Sequence, residues 1–402
     1  MKLPTAAWQS KAGMDHLLDV LDAAGGETRY VGGCVRDTLL DLPVSDVDLA
    51  TRLQPEDVMA RLQRAKIKVV PTGIAHGTVT AVIGGAPIEI TTLRRDVSTD
   101  GRRATIAYTG AWEEDAARRD FTINALSADP VSLEIHDYFG GEADLQAGLV
   151  RFIGNPLTRI AEDHLRILRF FRFHARFGRD APDPAGLEAC SRRANDLMAL
   201  SRERIADEFT KILALDDPTA TIALMIERGI LKPVIPEIGG DGVARLTHLV
   251  ARERMACLPP DALRRFAALL PADPRLAAAV AARLRLSKRA AKRLESAAAR
   301  SAADPSDPLV LAYWIGREEG FDRLLLGEGD PAAARLLLGW ERPRLGIKGG
   351  DLIRMGLAEG PLVARTLQAI EREWAEQGFP REKGAQAKLA RRHVDQALQD
   401  SQ

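Results

Sequence analysis

The chain has 402 residues, of which 46% are hydrophobic and 28% charged, with 56 Lys+Arg against 56 Asp+Glu. At roughly 100–200 residues per domain this is about two to four domains with a sizeable core, which excludes a lone peptide module, a disordered chain and a collagen-like chain. The formal net charge of zero means that any attraction to nucleic acid must reside in local charge.

Met14, Leu17, Leu18 and Leu21 recur at helical spacing until Gly25-Gly26 ends the pattern, and a short strand is predicted at Tyr30-Val31. Short β-branched runs follow at Val69-Val70, Thr78 to Ile83 and Ile88 to Thr92, with turn signals at Gly73, Gly84-Gly85 and Pro87. They predict a sheet with at least two antiparallel neighbours. Residues 94–103 are polar, contain glycine and show no apolar period, which predicts a mobile loop. Beyond residue 155 the β signal disappears and apolar positions recur near every 3.6 residues, as at Leu263, Phe266, Ala267 and Leu270. Pro233 and Pro236, Pro259 and Pro260, Pro271 and Pro274, and Pro305 and Pro308 mark helix boundaries there. The fold class is α+β: a sheet-containing head over 1–140, a helical neck over 141–215, and a helical body and tail over 216–402.

Cys34, Cys190 and Cys257 are far apart, which gives neither a disulfide framework nor a paired metal knuckle and suits a reducing compartment. The first residues lack an apolar signal core, and no run of 18 uncharged apolar residues occurs. The expectation is a cytoplasmic protein without a membrane segment.

The densest chemistry lies in Gly32-Gly33-Cys34-Val35-Arg36-Asp37 and, nine residues on, Asp46-Val47-Asp48-Leu49. On a strand, Asp46 and Asp48 share one face and leave Val47 and Leu49 to the core. Two carboxylates aimed at one spot repel unless a cation joins them, and Mg²⁺ favours oxygen ligands while also binding nucleotide phosphates. Glu89, between Ile88 and Ile90, offers a third carboxylate on the sheet face. Together they fit a two-metal phosphoryl-type transfer. The paired glycines let backbone approach a triphosphate, with the helix from Val35 to Leu40 and Arg36 beside it. No Walker motif is present, which disfavours a P-loop ATPase.

These residues resemble the polymerase-beta nucleotidyltransferase superfamily, and within it the class II tRNA nucleotidyltransferases, the CCA-adding enzymes closely related to bacterial poly(A) polymerases. Similar blocks are Pro71-Thr72-Gly73-Ile74-Ala75-His76-Gly77-Thr78-Val79-Thr80, Arg118-Arg119-Asp120-Phe121-Thr122-Ile123-Asn124-Ala125 and Asp137-Tyr138-Phe139-Gly140-Gly141. The likeness covers 29–213 in detail and, more weakly, Gly349 to Ile353 and Gly356 to Gly360. It implies a polymerase-beta-like head followed by an all-α neck, body and tail, and transfer of CMP and AMP from CTP and ATP to a tRNA 3′-hydroxyl with release of pyrophosphate. It also implies that Asp46, Asp48 and Glu89 are catalytic, that the first two bind Mg²⁺, and that Gly33, Arg36 and Arg119 bind nucleotide.

Segment 159–179 carries six arginines and two acids in a chain of zero net charge. Glu162, Asp163, Arg166, Arg169 and Arg172 form a stripe on one predicted helix, while Leu165, Leu168 and Phe171, and also Ile167, Phe170 and Phe173, supply its packing sides. Cytosine and adenine each present an amino donor beside an unprotonated ring nitrogen, whereas uracil and guanine present a carbonyl beside an N–H. Asp163 accepting and Arg166 donating would therefore admit C and A and refuse U and G. The resemblance implies the same template, with Arg169 and Arg172 toward the triphosphate; His164 departs from the family's proline. Ser201 to Phe209 resembles the next family helix, where Glu203 and Glu208 would buttress the neck arginines. Segment 275–300, with eight Arg/Lys and one Glu, is a candidate track for tRNA phosphates. No obligate protein partner is evident.

Three alternatives stay open: a poly(A) polymerase, an enzyme adding only CC or only A, and a catalytically silent RNA-binding relative. The Asp46/Asp48 pair speaks against the last, and His76-Gly77-Thr78 resembles the CCA branch. In that family a flexible loop after the catalytic strand is needed for the terminal A, and its counterpart at 94–103 implies complete CCA synthesis.

Overall fold

A computed structural model describes residues 1–100 and 103–400, which divide into two units, Met1–Pro236 and Glu237–Gln402. In the first, seven strands form one sheet: β1 (Thr28–Val31), β2 (Asp48–Thr51), β3 (Lys68–Gly73), β4 (Thr78–Ile83), β5 (Ala86–Thr92), and two short strands that follow a separate ribbon in the chain. That ribbon is β6 (Arg94–Asp100) and β7 (Arg103–Tyr108), and the short strands are β8 (Ser127–Ala128) and β9 (Ile135–His136). The sheet order is β3-β4-β5-β2-β1-β8-β9, with β2 parallel to β5 and the other neighbours antiparallel. Leu49, Val79, Ala81, Ile88 and Ile90 are buried, the alternation expected of a sheet with one face in the core.

Two expectations are corrected. The stretch 94–103, read as a loop, contains most of the β6–β7 ribbon, paired from Arg94 with Tyr108 to Asp100 with Arg103; residues 101–102 lie outside those described. The β6 sequence, Arg94-Arg95-Asp96-Val97-Ser98-Thr99-Asp100, lacks the apolar alternation by which a strand is recognised, so the pattern did not reveal it. The ribbon's base is tied down where the Arg94 N–H donates to Asp115 at 3.2 Å.

The second correction concerns the neck. In place of one helix across 159–179 there are two, Pro156–Glu162 and Arg166–Phe177. Asp163 leaves the helical region (φ −151°, ψ 107°), and its carboxylate accepts the Leu165 N–H at 3.1 Å. A short acidic side chain that captures a nearby backbone N–H competes with the helix ladder and starts a new helix instead. Beyond the break, Ile167, Leu168, Phe170, Phe171, Phe173 and Phe177 are buried, with Phe170 stacked on Phe152 at 5.6 Å.

After β9 the described chain is helical and irregular, as the sequence predicts, apart from one bridge between Phe121 and Phe152. Pro274 and Pro308 open helices capped by Asp273 and Asp307. In the second unit Glu253 is buried between Arg264 and Arg265, 2.8 Å from each, and Arg293 reaches Asp322 at 2.6 Å. Arg283, Arg289 and Arg293 of the basic segment pair with Glu237, Glu318 and Asp322, so part of its positive charge is neutralised internally. Among the described residues no helix is long and apolar enough to cross a membrane.

Candidate active site

The parallel pairing of β2 with β5 puts Asp48 in register with Glu89, so both side chains rise from the same sheet face on adjacent strands. Asp46 lies two residues before Asp48, in the lead-in to β2 rather than on the strand. Burial pushes the Asp48 carboxyl up to about 6, Glu89 and Asp46 add to the rise, and Arg119 opposes it. Among the described residues none of the three carboxylates makes an ion pair, and the Ser45 hydroxyl donates to Asp46 at 2.9 Å. Nearly every other acid around this site has an arginine. Crowded, unpaired carboxylates of this kind fit a divalent cation. No group of three metal-ligating side chains is gathered there among the described residues, so the remaining ligands of such a cation would have to come from outside these side chains. The neighbouring Cys34 thiol is pushed up to about 11 by burial and carries no thiolate at neutral pH.

Asp46 and Asp48 open onto a cavity of about 640 Å³ lined by Gly32, Gly33, Arg119, Asp163, Arg166 and Phe173, among others. All seven nucleotide-binding residues expected from the sequence line it; Glu89 does not. Seven arginines against four aspartates around the cavity suit a polyanion. Gly32 has φ +69°, and a Cβ there would stand 2.8 Å from the Arg119 guanidinium, so glycine is required for backbone and arginine to share this corner.

The arginines are held in fixed orientations. Arg169 donates to Asp120 at 2.6 Å, Arg172 to Glu208, and Arg36 to Asp37 at 2.7 Å and to Asn124. Arg119 pairs with Asp115 at 3.5 Å and donates to the Asn124 carbonyl at 3.2 Å. Arg36, Arg169 and Arg172 all lie over the Phe173 ring, between 4.3 and 5.3 Å from its centre, which spaces three like charges around one apolar face. The expected buttress by Glu208 is present. Arg36 is buried and fully engaged with Asp37, Asn124 and the Phe177 ring, so its reach to a ligand is short.

Asp163 and Arg166 are not paired with each other. The Asp163 carboxylate receives Arg204 at 2.8 and 3.1 Å, and Arg166 donates to Glu162 at 2.5 Å and to the carbonyls of Arg159 and Arg118 at 2.9 and 3.1 Å. Asp163 and Arg166 are thus each held by partners of their own. Sequence reasoning missed Arg204, Arg118, Asp120 and Asn124. Arg204 stands four residues before Glu208, on the same helix face, and that spacing was the available signal.

Asp120 is buried and accepts from Arg169, from the Asn124 amide and from the Phe121 N–H at 2.6–2.9 Å. Burial acts to raise its pKa, but the Arg169 charge and these hydrogen bonds outweigh it and hold the carboxyl below its usual 3.8. A folded-state pKa below the unfolded one contributes stability that is present above the unfolded value and lost as pH falls through the folded one. Thermal unfolding from pH 7 downward should therefore show an acid limb below about pH 4 that flattens in Asp120→Asn; an unchanged slope would show that Asp120 is not part of it.

Residues 28–151 match the poly A polymerase head domain, and residues 181–239 match a probable RNA and SrmB-binding site of polymerase A. The mitochondrial CCA tRNA nucleotidyltransferase 1 of Mus musculus is 32% identical over 95% of this chain and 91% of its own length. A CCA-adding enzyme of Limosilactobacillus fermentum is 32% identical over 90% and 91%. The crystal structure of the Bacillus stearothermophilus CCA-adding enzyme in complex with CTP superposes with a TM-score of 0.77 at 27% identity, covering 97% of this chain and all of that one. With the metal-fitting carboxylates, the arginine-lined cavity and this end-to-end likeness, the chain belongs to the family of class II tRNA nucleotidyltransferases, the CCA-adding enzymes, and is a nucleotidyltransferase.

Proposed function

We propose that the protein adds C, C and A in turn to a tRNA 3′ end from CTP and ATP. The observation that carries this reading is the juxtaposition, around one cavity, of Asp46 and Asp48 with Asp163 and Arg166. In each round the RNA 3′-oxygen attacks the α-phosphorus, the bond to the bridging oxygen of the β-phosphate breaks, and pyrophosphate leaves. Asp46 and Asp48, with Glu89 beside them, would hold Mg²⁺, whose chemistry is to neutralise phosphate charge and acidify the attacking hydroxyl. Arg169, Arg172 and Arg119 bind the triphosphate, and Gly33 leaves room for it. Asp163 accepts from the base amino group and Arg166 donates to the ring nitrogen. Residues 1–140 act as catalytic head, 141–215 as neck and template, and 216–402 as the body and tail that bind tRNA. We place the protein in the cytoplasm, which suits its three free cysteines.

The test is incorporation from each of the four nucleoside triphosphates onto tRNA lacking its 3′ end and onto the same tRNA ending in CC. Two C and then one A are expected. A run of A alone would indicate a poly(A) polymerase, and no incorporation would indicate a silent RNA-binding relative. Deleting residues 96–103, which shortens the β6–β7 ribbon, should leave CC addition nearly intact and block the final A. Equal loss of both steps would make the ribbon a general support of the head, and no loss a mere connector.

A further inference from the structure

The second unit contains a cavity of about 540 Å³ that shares no residue with the transfer site, a volume ordinary for a small-molecule pocket. One wall is aliphatic, formed by Leu345, Ile347 and Leu367. Two arginines, Arg342 and Arg344, also line the cavity, on the irregular stretch before the helix Gly349–Arg354. Arg342 lies 4.5 Å over the ring of Tyr313, which is itself buried in the core with Trp374 and Phe379. Arg344 is exposed. Arg342 also donates a hydrogen bond to the Tyr313 hydroxyl, and among the described residues neither arginine forms an ion pair. The remaining polar group is Glu371, on the helix Pro361–Glu376. Its Oε1 accepts the Tyr313 hydroxyl, and no described side chain donates to Oε2. Burial, and then Glu371, pushes the Tyr313 hydroxyl up to about 12, so it stays a donor and fixes the carboxylate.

An apolar lining, an immobilised acceptor, one guanidinium held on Tyr313 and a second that is uncommitted match a nucleotide: a flat base, its hydrogen-bonding edge, and a phosphate. The acceptor selects the base. A carboxylate is met by two adjacent N–H donors only from guanine, through N1–H and the 2-amino group. Adenine and cytosine place an unprotonated ring nitrogen beside their single amino group, and uracil flanks its one N–H with carbonyls, so each sets a lone pair against the carboxylate. We propose that this pocket is a guanosine 5′-phosphate site, with the base edge on Glu371, the base face on Ile347 and Leu367, and the phosphate on Arg344 and Arg342. The site is independent of the transfer reaction and takes a base that the proposed template refuses.

The test is titration of the full chain with GMP, IMP and UMP, followed by saturation-transfer NMR and calorimetry. IMP keeps N1–H and lacks the 2-amino group. GMP is expected to bind at least about tenfold more tightly than IMP or UMP, as for loss of one hydrogen bond to a charged group. Glu371→Gln, which preserves an acceptor for Tyr313, should erase that preference, and Arg344→Ala should weaken GMP binding severalfold; circular dichroism checks the fold of both. An ApGpA trinucleotide separates the two sources of the ligand. Tighter binding of the trinucleotide assigns the pocket to an unpaired guanine in RNA, and equal or weaker binding to the free nucleotide. Equal binding of GMP, IMP and UMP, or a GMP preference that survives Glu371→Gln and disappears in Arg166→Ala, would overturn the proposal.

Discussion

Asp48→Asn, and separately Asp46→Asn, should lower nucleotide transfer by about a thousandfold or more while leaving the protein folded. Losing a carboxylate ligand removes several kcal/mol of transition-state stabilisation, and each 1.36 kcal/mol is about a decade in rate. The fold survives for a reason visible in the site: neither carboxylate carries an ion pair, and Asp48 sits in register with another acid. Asparagine keeps the shape and removes the repulsion, so the melting temperature of Asp48→Asn should equal or exceed that of the parent. Single-turnover incorporation of CMP measures the first effect, and calorimetry the second. Near-normal turnover in a well-folded variant would remove these aspartates from the chemistry.

The double change Asp163→Ala with Arg166→Ala should erode choice of base in a protein that still folds. Each mismatched buried polar group costs on the order of 1–3 kcal/mol, so discrimination against UTP and GTP should fall by about ten- to a hundredfold. The pair of Asp163 with Arg204 is partly exposed, and such pairs contribute at most about 1 kcal/mol; Arg166 is more deeply set and also donates to two backbone carbonyls, so its loss costs more, and the variant should melt lower than the parent yet stay folded. Competition among the four triphosphates, read as relative kcat/KM, separates the outcomes. An unchanged ranking of the nucleotides would locate the template elsewhere.

What could be read in the sequence was whatever two or three neighbouring residues determine. The glycine pair before a helix, the closely spaced Asp46 and Asp48, and Glu89 between two isoleucines are local patterns, and the cavity gathers most of them. The arginine stripe was legible as a face because Arg166, Arg169 and Arg172 keep helical spacing. Its partners were not. Asp37 takes Arg176, Asp120 takes Arg169 and Asp163 takes Arg204 across 139, 49 and 41 residues, and no periodicity specifies which acid meets which base at such a range. The helix break was hidden because the apolar period runs through it undisturbed; only the capture of the Leu165 N–H by Asp163 interrupts the ladder. The ribbon was missed because strand prediction relies on an alternation of apolar residues that the β6 sequence lacks.

The Asp163 carboxylate is fixed twice, by the backbone of the following helix and by a guanidinium from another, within the same unit as Asp48. A nucleic-acid template advances by one letter per addition, and its position is a record of progress. A side chain anchored in this way presents the same edge at every round and keeps no tally. For the proposed reaction, counting then falls to the RNA: after each addition the new 3′ end must withdraw by one nucleotide to return its hydroxyl to Asp46 and Asp48.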